Sequence, residues 1–358
     1  MPSEKQDTFD EIIRPRLRWN PKGSIAQMLM DHVFQGIVPP YYQEVRLEKY
    51  RRIQFGFVDD VNLNAFATLP DVIAVNSGAL AILIAMYQCI LASPKILPWI
   101  GDPEKEVTPS PISWAGFVAP AIMPNDPIRR AYALFLVVMA FDFMVRHELA
   151  HLRNGHVDLL NAEAGLSMLL EISDDTSIIS ALDFQTMEMD ADCYAAREGF
   201  KWFTSRQIEL HASSKMIVAG GANRETMYLW VFAIHAFFLA FYEAASAVSE
   251  IGARRHPPSN MRQVIVNSTL LQILNHPLKN ILLEVAGPAV GDSSRAFSMI
   301  HGRSVDASYA VTAISDGYQE HSQQMLTNWS DLRPRLLPFA RGGPLTEASG
   351  INEQKSAG

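Results

Sequence analysis

Cysteine is scarce in this chain of 358 residues. Only Cys89 and Cys193 occur, far apart and outside any CxxC spacing. A disulfide framework fits this pattern poorly, and we expect two buried structural thiols in a reducing compartment. The N-terminus also lacks an apolar signal segment, because charged residues interrupt it from the start. The sequence therefore predicts a cytoplasmic protein.

An excess of basic charge is missing as well. Lys and Arg number 30 against 38 Asp and Glu, which gives a formal net charge of -8. Proteins that bind nucleic acid normally carry a basic face or tail that contacts phosphates. We therefore expect no nucleic-acid partner, and the sequence leaves the oligomeric state open.

No apolar run is long and uninterrupted enough to indicate a membrane span. The three most apolar stretches begin at Val72, Ala131 and Met227. Polar residues interrupt them at Asn76, Asp142 and His235, whereas a spanning helix needs about 20 predominantly apolar residues. We interpret all three as core elements of a soluble protein. Association with the inner face of a membrane is the less favoured alternative.

Apolar residues make up 48% of the chain, enough for a sizeable core. Their periodicity predicts a mainly α protein with a small β-sheet, an α+β fold. The predicted elements are a strand over 64–75, a turn at Asn76 to Gly78, a helix to Ala92, an irregular proline-rich segment over 93–126, a helix from Pro127, capped by Asn125 or Asp126, that ends at Gly155, and helices over 181–204 and 226–249. Irregular segments as long as 93–126 often act as lids.

The stretch RHELAHLRNGH, which starts at Arg146, contains an HExxH motif. His147 and His151 lie four residues apart on the predicted helix, so both imidazoles share one face and can bind one Zn²⁺. Glu148 projects to the side of this face, where its carboxylate can accept a proton from water without ligating the metal. Because so short a motif also arises by chance, the interpretation needs a third ligand.

The segment EMDAD supplies a candidate for the third ligand. Glu188 and Asp192 are four residues apart on another predicted helix. Glu188 offers a carboxylate ligand, and Asp192 can accept a hydrogen bond from a ligating imidazole and so fix its tautomer. Asp190 lies off this face, and we expect it to be solvated.

His156 follows the motif but does not fit a metzincin site. It stands nine residues after His147, one short of the metzincin ligand position, and Asn154 occupies the position of the metzincin glycine. Since Gly155 is expected to end the helix, two interpretations of His156 stay open. It is either a plain surface histidine or a mobile group near the metal that contacts a ligand or blocks the site.

Four blocks, in this order, resemble the gluzincin family of HtpX-like and CaaX-prenyl-protease-like zinc metallopeptidases. They are NAFA with IAVNSGAL from Asn64, HELAHLRNGH from His147, EMDAD from Glu188 and HPPSNMR from His256. The blocks bracket residues 64–262, more than half of the chain. The proline-rich segment 93–126 departs from the family pattern, in which one helix usually leads directly to the next. A looser resemblance, carried mainly by the metal helix, is to the soluble phage-exclusion peptidase of Lit type.

The resemblance implies a zincin-like metallopeptidase core with an active-site helix and a substrate-binding edge strand. One Zn²⁺ per chain would be held by His147, His151 and Glu188. Glu148 would be the catalytic base, and Asp192 would orient a ligand. The chain would then divide into an N-terminal packing segment (1–60), the peptidase core (61–265, with the insertion 93–126), a mostly helical C-terminal segment (266–341) and a disordered tail (342–358).

The resemblance also implies a way of binding substrate. An extended peptide would pair with the backbone of an edge strand that contains Asn64, Ala65 and Phe66, which requires little of the peptide's sequence. His256 and His156 are candidates for oxyanion stabilisation or gating. Two weaker candidates for the oxyanion are Tyr194 and Arg262.

These expectations describe a metalloendopeptidase whose protein or peptide substrate is attacked by water that zinc binds and Glu148 deprotonates. Two alternatives stay open: a membrane-associated quality-control protease of HtpX type, and a zinc-binding regulatory module without activity. Glu148 argues against the module, because a structural zinc site has four protein ligands and needs no base. No pattern marks a specificity pocket, so an apolar pocket is the default expectation.

Overall fold

The computed structural model of the chain describes residues 9–13, 18–19, 24–45, 52–107, 122–166, 179–212, 215–241, 251–252, 254–301, 305, 315–342 and 345–346. It is mainly helical (67%) with a small mixed sheet, which confirms the predicted α+β class. The helices are α1 (Phe9–Ile12), α2 (Ser24–His32), α3 (Val38–Glu44), α4 (Ser77–Leu91), α5 (Pro127–Arg153), α6 (His156–Ala164), α7 (Ala181–Thr204), α8 (Arg224–Ala240), α9 (Ser259–Ile273), α10 (His276–His301) and α11 (Asp316–Leu336). The strands are β1 (Arg18–Trp19), β2 (Gln54–Val58), β3 (Ala65–Thr68), β4 (Val72–Asn76), β5 (Gln207–Ala212) and β6 (Lys215–Gly220).

The main sheet has the strand order β1-β2-β4-β3, which makes β3 an outer strand. β2 and β4 are parallel, and β3 is antiparallel to β4. The prediction of one strand over 64–75 is therefore wrong, because the chain reverses between Thr68 and Val72. Pro70 and Asp71 mark this turn in the sequence, but every residue of β3 and β4 is buried, so the apolar residues on both sides of the turn resemble one run. Helix α4 begins at Ser77, directly after β4, so the turn predicted at 76–78 is wrong as well.

Helix α5 is the central helix and carries the HExxH motif. Asp126 caps it by accepting hydrogen bonds from the backbone N–H groups of Ile128 and Arg129, and Pro127 is its first residue, as predicted. At 1.5 Å per residue it is about 40 Å long. Nearly all of its residues are buried, because α4, α7, α8 and β3 pack around it. The left-handed conformation of Gly155, with φ of 83°, separates α5 from α6.

Two buried charges on α5 are paired. The carboxylate of Asp142 accepts a hydrogen bond from Nε of Arg146 at 2.7 Å and lies 2.7 Å from Nε2 of His32 on α2. An isolated buried charge would be strongly destabilising, so this cluster allows an apolar helix to contain Asp142. It also joins the N-terminal helix α2 to the helix that carries the HExxH motif.

The predicted bounds are correct for helix α7 and only partly correct for helix α8. Helix α7 spans Ala181–Thr204, as predicted, and Ser180 caps it. Helix α8 begins at Arg224 instead of Thr226, because Asn223 accepts a hydrogen bond from the N–H of Thr226. Its predicted continuation to residue 249 lies largely outside the described residues. No helix in the described ranges combines the length and the apolar character needed to cross a membrane.

The proline-rich segment is held by one arginine where it is described, at 93–107 and 122–126. It is irregular there, as predicted, apart from a 3-10 turn at Pro103–Lys105. The fully buried guanidinium of Arg129 donates hydrogen bonds to the backbone carbonyls of Leu91, Ser93, Ile96, Leu97 and Ile100. Residues 93–100 are therefore held against the core, and the idea of a lid falls on residues 108–121, outside the described residues.

The first part of the tail, at Leu345 and Thr346, packs back onto helix α11. Leu345 is buried, its carbonyl accepts a hydrogen bond from Nε of Arg333, and the carbonyl of Thr346 accepts one from the indole N–H of Trp329. The prediction of disorder from Gly342 onward is therefore wrong for these first residues, because an apolar side chain and two long donors on α11 hold them. Residues 347–358 lie outside the described residues.

Both cysteines are free thiols, as predicted. Cys89 is buried on α4, whereas Cys193 on α7 is only partly buried, which corrects the expectation for that residue. Its sulfur accepts a hydrogen bond from the hydroxyl of Thr269 at 3.2 Å. Burial of this thiol raises its pKa to about 12, so it stays protonated at neutral pH.

Candidate metal centre

The candidate metal centre lies where helix α5 faces helix α7. His147 and His151 project from successive turns of α5, and Glu188 projects toward them from α7. All three side chains are buried, and one donor atom from each lies within 4.8 Å of the others. This cluster of two imidazoles and one carboxylate could hold a metal ion.

The distances between the donor atoms fit a small divalent cation. The two histidine Nε2 atoms are 3.0 Å apart, and the Glu188 oxygens lie 3.3 Å from Nε2 of His147 and 3.4 Å from Nε2 of His151. Zinc bonds of about 2.0–2.2 Å at a tetrahedral angle place neighbouring donors about 3.3–3.5 Å apart. Three protein donors would leave the fourth position of a tetrahedral ion to water or another ligand.

A carboxylate and an arginine orient His147. Its Nδ1 lies 2.9 Å from Oδ1 of the fully buried Asp192, one helical turn after Glu188. Arg262 of α9 donates to both oxygens of Asp192, from Nε at 2.7 Å and from Nη2 at 2.8 Å. Burial raises the pKa of Asp192, but Arg262 and His147 outweigh burial and lower it. The ionised carboxylate accepts the Nδ1 proton of His147, which leaves the Nε2 lone pair for a metal.

A second histidine contacts His151 on the side away from the cluster. Its Nδ1 lies 2.9 Å from Nδ1 of His156, whose ring is fully buried. Nε2 of His156 lies 3.2 Å from a carboxylate oxygen of Asp190, which also accepts a hydrogen bond from the side chain of Asn154 at 2.5 Å. Both the surface interpretation of His156 and the solvated Asp190 are therefore wrong. The reason is the turn at Gly155, which brings α6 back against α5 and α7.

The centre favours a positive charge. Burial lowers the pKa of His147, but the charge of Glu188 and the hydrogen bond to Asp192 outweigh burial and raise it to about 10. The pKa of His151 is lowered to about 4, chiefly by burial. Burial raises the pKa of Glu188, but the charges of His256 and His147 hold it well below its ordinary range. A proton on His147, or a cation in its place, therefore balances the buried carboxylates.

A cavity of about 340 Å³, including the part open to solvent, adjoins the centre at His147. Glu148 and Arg262 contribute charged groups to its lining, and Asn64 and Ala65 line it at the outer strand of the sheet. The rest of the lining is apolar and consists of Phe143 and Met144 on α5 with Phe237 and Phe241 at the end of α8. The predicted base and the predicted substrate strand therefore meet in one cavity.

Two of the predicted oxyanion candidates lie beside the centre. Nδ1 of His256 lies 3.3 Å from Oε2 of Glu188, and its side chain is 24% exposed. Nη2 of Arg262 lies 3.6 Å from the same oxygen. Arg262 is already bound to Asp192 through two hydrogen bonds, so its first role is to hold that carboxylate.

The remaining candidates lie elsewhere. Tyr194 packs between α7 and α5, against Ala150 and beneath the guanidinium of Arg153, and it does not line the cavity, so its prediction as an oxyanion donor is wrong. Phe66 belongs to a separate apolar cluster on the other face of the sheet, so its side chain does not reach the cavity. His156 contacts the Nδ1 side of His151, opposite Nε2, so it cannot stabilise an oxyanion or gate the site from there.

The apolar lining is the feature that sequence reasoning missed. Phe237 and Phe241 are four residues apart on one helix, which is a signal visible in the sequence. The same spacing occurs in any core helix, so it could not identify a cavity. The position of α8 beside the end of α5 was needed to assign it.

No family model, no curated protein and no solved structure matches this chain.

Proposed function

We propose that this chain is a cytoplasmic zinc-dependent metalloendopeptidase of the gluzincin type, which hydrolyses peptide bonds in protein substrates. One observation carries the proposal: the buried cluster of His147, His151 and Glu188 adjoins a cavity that Glu148 also lines. The third ligand is a carboxylate from a second helix, as in gluzincins. A purely structural zinc site would have four protein ligands and no neighbouring base.

Each residue of the centre has a defined task in this reaction. Bound zinc would supply Lewis acidity, which lowers the pKa of water toward neutrality and polarises the scissile carbonyl. Glu148 accepts the proton that water loses as its oxygen attacks the carbonyl carbon, and then donates that proton to the nitrogen of the leaving amine. His147 and His151 present their Nε2 atoms to the metal, while Asp192 and His156 keep their Nδ1 protons in place.

The outer strand β3 has the geometry to hold an extended peptide once its edge is exposed. The carbonyl of Asn64 accepts a hydrogen bond from the N–H of Asn76 at 3.0 Å. Since hydrogen-bonded residues alternate along an antiparallel pair, Ala65 and Ala67 direct their N–H and C=O groups toward the outer edge of the sheet. Both alanines are buried, with 6% and 0% of their surface exposed, so a peptide must displace the chain that covers them before it pairs with them and runs past the cavity.

The apolar lining predicts a preference in the substrate. Phe143, Met144, Phe237 and Phe241 surround the space beside Glu148. Burying a large apolar side chain there contributes about 1.5–3 kcal/mol. We therefore expect cleavage next to a large apolar residue, in a segment that is unfolded enough to extend along β3.

The decisive experiment is the substitution Glu148→Gln, which removes the proton acceptor and keeps the shape of the side chain. We expect about one zinc per chain, as in the wild type, and a kcat lower by about 10²–10⁴-fold. Zinc is measured by elemental mass spectrometry after gel filtration of a detergent-free preparation. Activity is measured on reduced, unfolded casein, with cleavage sites identified by mass spectrometry. Glu198→Gln, on α7 beside Arg197, is the matched control and should behave as the wild type.

Other outcomes would contradict the proposal in recognisable ways. A Glu148→Gln variant that cleaves at the wild-type rate would show that another group accepts the proton. A wild-type chain that binds zinc but cleaves no peptide bond would indicate a regulatory module. Recovery of the protein only with detergent would favour the membrane-associated alternative.

A further inference from the structure

His156 lies behind the metal centre, on the side of His151 that faces away from the cluster. The two Nδ1 atoms are 2.9 Å apart, and His156 has no exposed surface. His151 has its other nitrogen, Nε2, 3.0 Å from Nε2 of His147. His156 is therefore placed to act on the metal through His151 and not directly.

Only one direction of the hydrogen bond between the two rings leaves His151 able to bind a metal. A metal needs the lone pair on Nε2 of His151, so the ring must carry its proton on Nδ1. That proton then points at Nδ1 of His156, which must be the acceptor. A neutral His156 that accepts at Nδ1 carries its own proton on Nε2. The buried Nε2 lies 3.2 Å from the carboxylate of Asp190, which favours a proton there by its charge.

The structure around His156 keeps it in this place. Asp190 accepts a hydrogen bond from Asn154, and Oδ1 of Asn154 accepts one from Nη1 of Arg153 at 2.8 Å. The turn before His156 needs glycine, because a Cβ at residue 155 would lie 2.6 Å from Cβ of Phe339. These contacts fix both the backbone and the far side of the ring.

We propose that His156 is a positioning residue, which with Asp190 selects the tautomer of His151 that can bind metal and holds its ring in the ligating orientation. The inference rests on the proposed metal centre and adds a requirement to it. His156 and Asp190 touch neither the ion nor a substrate, so their effect must appear first in metal affinity.

A matched pair of substitutions tests the proposal, because leucine and asparagine have nearly the same shape. His156→Asn keeps an acceptor oxygen close to the position of Nδ1, whereas His156→Leu has none. We expect His156→Leu to weaken zinc binding by about 10- to 100-fold, the usual effect of losing a partner of a ligating histidine. His156→Asn should restore most of the wild-type affinity, measured by competition with a chromophoric zinc chelator.

Two further measurements separate positioning from packing. Urea unfolding of the metal-free variants should show similar stabilities for the leucine and asparagine substitutions. In zinc-loaded protein with ¹⁵N-labelled histidine, His151 should keep a protonated Nδ1 in the wild type and in His156→Asn. If His156→Leu does not fold, Asp190→Ala replaces it, and it should weaken zinc binding in the same direction by a smaller factor.

Each result bears on the proposal. Unchanged zinc affinity in His156→Leu, or equal losses in the leucine and asparagine variants, would overturn it. The peptidase assay of the wild type separates this from the proposed function. A chain that binds zinc and shows the expected difference between the variants, but cleaves nothing, would support the role of His156 and contradict the endopeptidase activity.

Discussion

The two histidines of the metal centre lie one turn apart on the same helix, yet different chemistry supports them. Behind His147 is an ion pair, in which Asp192 faces the ring and binds both nitrogen arms of Arg262. Behind His151 is a second imidazole, that of His156. The nearby carboxylate, that of Asp190, contacts His156 and not His151. Two buried imidazoles are thus held by a carboxylate and by a third imidazole.

This difference decides where charge resides in the centre. Burial lowers the pKa of both rings, but the carboxylates of Glu188 and Asp192 reverse the effect at His147 and raise its pKa to about 10. At His151 burial prevails, and the pKa falls to about 4. One ring therefore carries the proton that must leave when a metal binds, while the other is already neutral. Glu188 also contacts His151, but there it does not outweigh burial, and His156 lowers the pKa of His151 further.

The largest expected difference is in stability. Asp192→Ala leaves the largely buried Arg262 without this carboxylate, and removing one member of a buried ion pair costs about 3–5 kcal/mol of unfolding free energy. Asp190→Ala removes a carboxylate that is partly exposed, with an expected loss of about 1 kcal/mol. Urea unfolding of the metal-free variants measures both. Equal losses would show that Asp192 and Asp190 contribute equally to the free energy of unfolding.

The next effect is the pH dependence of zinc binding. Since His147 has a pKa of about 10, it is protonated at neutral pH and must release that proton, whereas His151 with a pKa of about 4 has none to release. The apparent dissociation constant should therefore fall about tenfold per pH unit between about pH 6 and about pH 8. Isothermal calorimetry in buffers of different ionisation enthalpy should find one proton released per zinc. Release of two protons, or of none, would contradict the assignment of charge to His147 alone.

The smallest effect concerns the geometry of the ion pair. Arg262→Lys keeps a positive charge beside Asp192 but loses the bidentate pair of hydrogen bonds from Nε and Nη2. We expect zinc affinity to fall by about tenfold or less, the lower end for groups behind a ligand. Arg197→Lys, on α7 away from the cavity, is the matched control and should leave affinity unchanged. A loss greater than that of Asp192→Ala would mean that Arg262 acts on the metal by another route.

Much of the fold could be predicted because helix boundaries depend on nearby residues. Asp126 and Pro127 begin α5, Gly155 ends it, and α7 has the predicted limits Ala181–Thr204. Capping hydrogen bonds and a period of 3.6 residues operate within a few positions of the chain, so the sequence displays them directly. The wrong predictions concern reversals of the chain, such as the turn between β3 and β4, where buried apolar residues on both sides of Pro70 and Asp71 resemble one continuous strand.

The candidate site also has a part that local spacing predicts and a part that it does not. A spacing of four residues places His147 and His151 on one face of α5, and the same spacing places Glu188 and Asp192 on one face of α7. That the two faces meet could be inferred from the chemistry of metal binding. No such rule pointed to the contact of His156 with Asp190, because these residues belong to different helices and each has an ordinary surface interpretation.

The sequence by itself determined the candidate metal ligands, because helical spacing places His147 and His151 on one face of α5 and Glu188 with Asp192 on one face of α7. Only the tertiary structure decided what stands behind each imidazole and what lines the cavity beside Glu148. The turn at Gly155 brings His156 against His151. The packing of α8 near α5 places Phe237 and Phe241 in the lining of the cavity. Such contacts join residues that are distant in the chain, and they arise from the packing of whole helices, which local patterns do not specify.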